Sequence, residues 1–156
     1  MTDQLQPGDH APAFDLASDG ENNLSSSDLK GKTVVHYFYP QDDTPGCTNQ
    51  AKAFSALSAD LAKAGAVVIG VSKDSVASHK RFRAKHELTI ALGSDPEGAT
   101  IEAYGAWVEK SMYGRSYMGI ERSTFLIDGS GVVRKIWRKV KVPGHVDEVL
   151  EFVRSC

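Results

Sequence analysis

Cysteine is scarce in this chain. Two thiols, Cys47 and Cys156, among 156 residues are too few for the disulfide framework of a small secreted scaffold. Long apolar runs are also missing: no stretch approaches the roughly 20 residues of a membrane-crossing helix. The first residues, Met1 to Pro7, have neither the basic leader nor the apolar core of a secretory signal. These absences predict a cytoplasmic protein that makes no use of a membrane. An excess of one charge is lacking as well. Eighteen Lys and Arg against twenty Asp and Glu give a formal charge of −2, which leaves no electrostatic footprint for nucleic acid. The one basic run, Arg134 to Lys141, alternates charged with apolar residues and fits a solvated strand face. Repeats, low-complexity tracts and charge blocks are absent, so nothing divides the chain. With 41% hydrophobic residues, residues 1–156 are expected to form one domain with its own core. His10, His79, His86 and His145 lie at no ligand-like spacing from either cysteine, so a metal site is not expected.

What is present alternates between strand and helix signals. Phe14 to Leu16 and Leu24 flank a Gly/Asn turn and predict a hairpin near the N-terminus. Val34 to Phe38 is β-branched and aromatic, and Ala66 to Ser72 is almost wholly apolar; both read as strands covered on two faces. His36, inside the first of these, is expected to be a hydrogen-bonded core histidine. Ala51 to Lys63 carries apolar residues at helical spacing. A further helix is expected up to about Glu87, capped by Ser72 or Asp74, and a weaker strand from Leu88 to Leu92. Asp95-Pro96-Glu97 is expected to open a short helix. Ser123 to Ile127 and Val132 to Val140, joined by Asp128 to Gly131, predict a terminal hairpin, and Val146 to Val153 a closing amphipathic helix. The sum is an α/β protein: a central mixed β-sheet flanked by helices, with an N-terminal hairpin.

Cys47 falls where the strand ending near Phe38 gives way to helix. Thr44-Pro45-Gly46 forms the turn between them, with Pro45 suited to a first helical position. A thiol at a helix start meets unpaired backbone N–H groups and the positive end of the helix dipole. Both favour the thiolate, the reactive form of cysteine. The alternative is an inert buried thiol acting as a small hydrophobe.

Three patches carry a resemblance to a known family: Phe38-Tyr39-Pro40 through Thr44-Pro45-Gly46-Cys47, Asp95-Pro96 with Tyr104-Gly105-Ala106-Trp107, and Tyr117 through Ile127. The chain resembles the peroxiredoxins, and among them the bacterioferritin-comigratory (peroxiredoxin Q) branch, from about Leu5 to Val153. The resemblance implies a thioredoxin-like fold and reduction of hydrogen peroxide and organic hydroperoxides by a cysteine, with no metal or organic cofactor. It implies that Cys47 is the peroxidatic nucleophile and that Arg122 stabilises its thiolate and donates hydrogen bonds to the peroxide. It also gives Thr44 a hydroxyl directed at the peroxide and Pro40 a part in shielding the thiolate. Physics alone leaves a surface salt bridge open for Arg122, a plain N-cap for Thr44 and a strand terminator for Pro40. Trp107, Tyr104 and Phe82 are expected in the core.

The chain departs from the family's pattern in its second thiol. The position five after Cys47 is Lys52, and the corresponding place in the next helix is Arg83; relatives carry a resolving cysteine at one or the other. Position 50, often glutamate, is Gln50, which supplies no carboxylate to orient Arg122. The remaining thiol is Cys156, a possible resolving residue or a tail cysteine without a role. The expected reductant is thioredoxin by resemblance, or glutaredoxin or glutathione in the absence of a nearby resolving thiol. The chain is expected to be a monomer or weak homodimer. Two rivals stand beside this reading. A thiol–disulfide oxidoreductase is disfavoured because Thr44 stands where a C-x-x-C pair needs its first cysteine. A non-enzymatic thioredoxin-like binding or holdase module would function without Cys47.

Overall fold

In a computed structural model, residues 5–20 and 22–155 are described. The strands are β1 (Asp15–Ser18), β2 (Leu24–Ser25), β3 (Thr33–Phe38), β4 (Ala66–Ser72), β5 (Ala91–Ser94), β6 (Trp107–Met112), β7 (Arg115–Ile120), β8 (Ser123–Ile127) and β9 (Val133–Trp137). The helices are α1 (Pro45–Ala56), α2 (Ser58–Lys63), α3 (Val76–His86), α4 (Ala99–Ala103) and α5 (His145–Ser155). Seven strands form one sheet in the order β2-β1-β5-β4-β3-β8-β9. Within it β4 runs parallel to β3 and β5, while β1, β8 and β9 pair antiparallel with their neighbours. The expected mixed sheet and N-terminal hairpin are therefore both present.

Strand alternation divides the core in two. Val35 and Tyr37 of β3 point to a layer with Phe54, Leu61, Phe82 and Val149 from the helices. Val34 and Phe38 point to the opposite layer, with Phe14, Ile101, Tyr104 and Phe125. In α1, Cys47, Gln50, Ala51 and Phe54 are buried, the i, i+3, i+4, i+7 stripe of a helix laid on a sheet. That stripe brings the thiol to the C-terminal ends of the parallel strands.

The differences from expectation are local and have physical causes. The helix foreseen over 51–63 is two helices, broken at Leu57. Ser55 and Ser58 there direct their polar atoms to Thr89: Ser58 Oγ lies 2.8 Å from Thr89 Oγ1, and the Thr89 N–H donates to Ser55 Oγ at 3.0 Å. The β5 strand begins at Ala91, not Leu88, because Arg83 takes the carbonyls of Leu88 and Ile90. Helix α3 is capped by Ser75, which accepts from the Ser78 N–H at 3.1 Å. Ser72 and Asp74 bond each other instead, at 2.7 Å. Asp95 and Pro96 make a turn closed by Gly98 N–H to Asp95 O at 3.0 Å. Helix α4 starts after that turn, and Asp95 Oδ2 accepts from Ile101 N–H at 2.8 Å. The hairpin β6–β7 has no counterpart among the expected elements. Its strands are largely exposed, and both turn residues, Tyr113 and Gly114, have positive φ (52° and 77°), a two-residue turn usually announced by Asn-Gly.

His36 corrects a further expectation. It is fully buried, but neither ring nitrogen has a hydrogen-bond partner. Its ring instead packs 4.7–4.8 Å from those of Phe14, Phe38 and Tyr104. Burial lowers its pKa from 6.5 to about 3, so the folded protein holds it neutral where the unfolded chain would be protonated. Its share of stability is then present above about pH 6.5 and is lost progressively as pH falls toward 3. His36→Leu should flatten the acid limb of a denaturation midpoint-versus-pH curve, by on the order of 2–3 kcal/mol at about pH 4.5. An unchanged limb would mean that His36 takes up no proton on unfolding.

Candidate active site

Thr44 is the N-cap residue of α1 and Pro45 its first helical residue. The first backbone bond of the helix runs from Thr48 N–H to Thr44 O, at 2.8 Å. Gly46 and Cys47 precede that donor, so their N–H groups have no intrahelical acceptor. Cys47 is a free thiol, 2% exposed.

Arg122 arrives from the opposite direction, in the two-residue connection between β7 and β8. Its backbone is held on both sides: Val140 N–H donates to Arg122 O at 2.9 Å, and Glu121 N–H to Ala106 O at 2.7 Å. The guanidinium is thereby delivered over the start of α1. Nη2 donates to Cys47 Sγ at 3.2 Å, and Nη1 to Gln50 Oε1 at 2.6 Å. The two acceptors lie three residues apart on one helix, and the planar fork spans them.

The geometry shows what Gln50 does in place of a carboxylate. A carboxylate is not needed to orient Arg122, because the amide oxygen accepts the bond. The acceptor is neutral, so it brings no carboxylate charge to the guanidinium. The i, i+3 spacing from Cys47 was the available signal. Gly46 is part of the same fit. A Cβ there would lie 3.3 Å from Arg122 Nη2, tighter than ordinary contact.

Thr44 occupies the cap position without making a side-chain cap bond; its Oγ1 donates to Gln41 O at 3.0 Å. The plain N-cap alternative therefore fails. With its hydrogen so engaged, the hydroxyl has lone pairs left to accept a bond. Pro40 sits exposed in the bend just after β3. Lys52 is exposed on α1. Arg83 is committed elsewhere, forming an ion pair with Asp19 at the end of β1 besides its bonds to Leu88 and Ile90. Tyr104 and Phe82 are buried, as expected, and Trp107 packs partly buried against the core with Lys73 Nζ 4.4 Å from its ring centroid. Cys156 lies outside the described residues.

The AhpC/TSA family pattern matches residues 7–136. A putative peroxiredoxin bcp of Coxiella burnetii is 51% identical over 146 residues, covering 94% of this chain and 97% of the relative. Peroxiredoxin Bcp of Bacillus subtilis is 46% identical over 151 residues, covering 97% and 96%. The chain is a peroxiredoxin of the Bcp branch. Solved structures agree with the fold of this peroxiredoxin. The bacterioferritin comigratory protein of Xanthomonas campestris, studied for alkyl peroxide reduction, superposes with a TM-score of 0.87 at 44% identity, covering 91% of this chain and 90% of that one. The peroxiredoxin Q of Xylella fastidiosa superposes with a TM-score of 0.92 at 37% identity, covering 99% and 98%. A thioredoxin-like fold and thiol-dependent peroxidase activity follow, with a hydroperoxide as oxidant and a thiol as reductant.

The guanidinium fit is testable in this peroxiredoxin. Gly46→Ala should reduce the second-order rate with hydrogen peroxide about tenfold by displacing Arg122, while Gln50→Glu should keep most of it and Gln50→Ala should lose as much as Gly46→Ala. Stopped-flow single turnovers measure all three; a fully active Gln50→Ala would show that Arg122 needs no second acceptor.

Proposed function

We propose that Cys47 is the peroxidatic residue, with Arg122, Thr44 and Pro40 completing the site. The observation that carries this reading is the 3.2 Å contact between Arg122 Nη2 and the buried sulfur. The thiolate attacks one peroxide oxygen, an S–O bond forms as the O–O bond breaks, and the second oxygen leaves as water or an alcohol after taking up a proton. Cys47 is left as sulfenic acid. Arg122 and the free N–H groups of Gly46 and Cys47 are donors for the charge that develops on the oxygens. Thr44, having given its hydrogen to Gln41, accepts the hydrogen of the incoming peroxide. Pro40, without an N–H, contributes an edge that offers water no donor.

Reduction then proceeds by an external thiol. Its sulfur displaces hydroxide from the sulfenic acid, which leaves as water, and a second thiol releases Cys47 as the mixed disulfide is broken. Lys52 and Arg83 supply no internal thiol, and Arg83 is tied into an ion pair. These two facts support a one-cysteine site served by thioredoxin, glutaredoxin or glutathione, with Cys156 as the only resolving candidate in the chain. Among the described residues, no helix is long and apolar enough to cross a membrane. We read the chain as one domain over residues 1–156, a monomer or weak homodimer acting in the cytoplasm. Nothing in the arrangement favours a holdase that dispenses with the thiol.

Cys47→Ser should abolish peroxide consumption, and Arg122→Ala should lower it on the order of 10²–10³-fold. Arg122→Lys should fall nearly as far, because an ammonium cannot span Sγ and Gln50 together. Thr44→Val should be severe and Thr44→Ser mild. Full activity in Arg122→Lys would rule out the fork, and full activity in Thr44→Val would remove the hydroxyl from the mechanism.

A further inference from the structure

Beneath the candidate site lies a buried polar cluster that none of the chemistry above uses. Asp42, in the loop between β3 and α1, accepts three side-chain bonds. Tyr39 Oη donates to its Oδ1, Ser78 Oγ to its Oδ2 at 2.8 Å, and His79 Nδ1 to its Oδ2 at 2.7 Å. His79 is fully buried, and its other nitrogen, Nε2, lies 3.0 Å from the carbonyl oxygen of Gly93. A carboxylate and a carbonyl both only accept, so each ring nitrogen carries a proton and His79 is an imidazolium. Burial alone would lower its pKa, but the hydrogen bond and charge of Asp42 outweigh burial and hold it above 6.5. The same bonds hold Asp42 below 3.8 against the opposing effect of its own burial.

The cluster reaches the loop at more than one point. The Asp42 N–H donates to Asp74 Oδ2 at 2.8 Å. The next residue, Asp43, has φ 60°, a left-handed conformation that a non-glycine residue adopts at a cost. Its carboxylate is bonded by Lys85 Nζ and His86 Nε2, both at 2.7 Å. Residues 42 and 43 are thus fastened to the two ends of α3, and Thr44 follows directly.

We propose that the Asp42–His79 ion pair is the positioning device of the candidate site, clamping loop 40–44 to α3 and so fixing the Thr44 hydroxyl at the start of the helix that carries Cys47. His79 and Asp42 are positioning residues, acting through Thr44 and not on the peroxide. The inference rests on the role given to Thr44 above. A buried pair of this kind adds little net stability over apolar packing, but removing one partner leaves the other charged and unpaired. Loss of His79 should therefore release the loop. A displacement of about 1 Å in a catalytic group costs up to about 10²-fold in rate.

Two reactions of the same thiol separate positioning from general damage. Peroxide reduction needs the ordered loop; alkylation by iodoacetamide needs only a reachable thiolate. In a Cys156→Ser background, where Cys47 is the single thiol, the ratio of the two rates cancels thiol ionisation. His79→Ala should lower this ratio by about 10–100-fold, and His79→Asn, which keeps a donor for Asp42, should recover much of it. In Thr44→Val the further change His79→Ala should have little effect, since both act through one hydroxyl. The unsubstituted His79 protein supplies a readout that depends on no new variant folding. Its ratio should fall as pH rises through the raised His79 value, where the pair loses its charge, and be flat over that range in His79→Asn. The other groups facing His79 are Tyr39, from the end of β3, and Asp74, from the β4–α3 connection; Arg83, one turn further along α3, is neutralised by Asp19. Equal losses of both rates in His79→Ala, or no loss, would overturn the proposal, as would a ratio independent of pH. A fully active Thr44→Val would instead overturn the role of Thr44 on which the pair depends.

Discussion

A sulfur held almost out of water beside a permanent positive charge is the constraint around which this peroxiredoxin is organised. The guanidinium of Arg122 lies 3.2 Å from the sulfur, and the two N–H groups at the helix start beside it have no intrahelical acceptor. Each part of this arrangement is fixed by a different piece of the fold. Helix α1 delivers the sulfur, the β7–β8 connection delivers the guanidinium, and Gly46 leaves the gap through which the two meet. Gln50 takes the second arm of the fork and does so without charge. A glutamate at that place would set a carboxylate charge against the guanidinium.

The same arrangement bears on the proposed route by which the oxidised thiol is reduced. The resemblance gives a resolving thiol two possible places in the helices, held in this chain by Lys52 and Arg83. Here one such place, Lys52, faces solvent, and the other, Arg83, is bound to Asp19 and to two backbone carbonyls. Those bonds pin α3 to the N-terminal hairpin and to the segment leading into β5. Helix α3 in turn holds Asp42 and Asp43. A helix that anchors the active-site loop is poorly suited to unwinding during turnover, which supports the proposal of a thiol from solution.

Much of this could be read from residue order. The apolar runs at 34–38 and 66–72 were legible as strands because they are short and rich in β-branched and aromatic residues. Pro45 and Gly46 marked the start of α1 correctly. Other features depended on contacts between residues far apart in the chain. Nothing local to Leu88 reveals that Arg83 will claim its carbonyl and delay β5. Tyr113-Gly114 hid a hairpin because its first residue seldom adopts positive φ. His36 was expected to find a hydrogen-bond partner, and only the packing of three aromatic rings around it shows that none reaches it. Within the site, the proximity of Gln50 to Arg122 was open to inspection from helical spacing; the part played by His79 was not, since Asp42 lies 37 residues away.

The central claim is that Cys47 is the thiol the fold prepares for oxidation. Its most direct test is peptide mapping by mass spectrometry after equimolar hydrogen peroxide, with sulfenic acid trapped by dimedone. The account predicts adduct on the Cys47 peptide before any change at Cys156, and none in Arg122→Ala on the same time scale. Adduct first at Cys156, or equal labelling of Cys47 with and without Arg122, would contradict it.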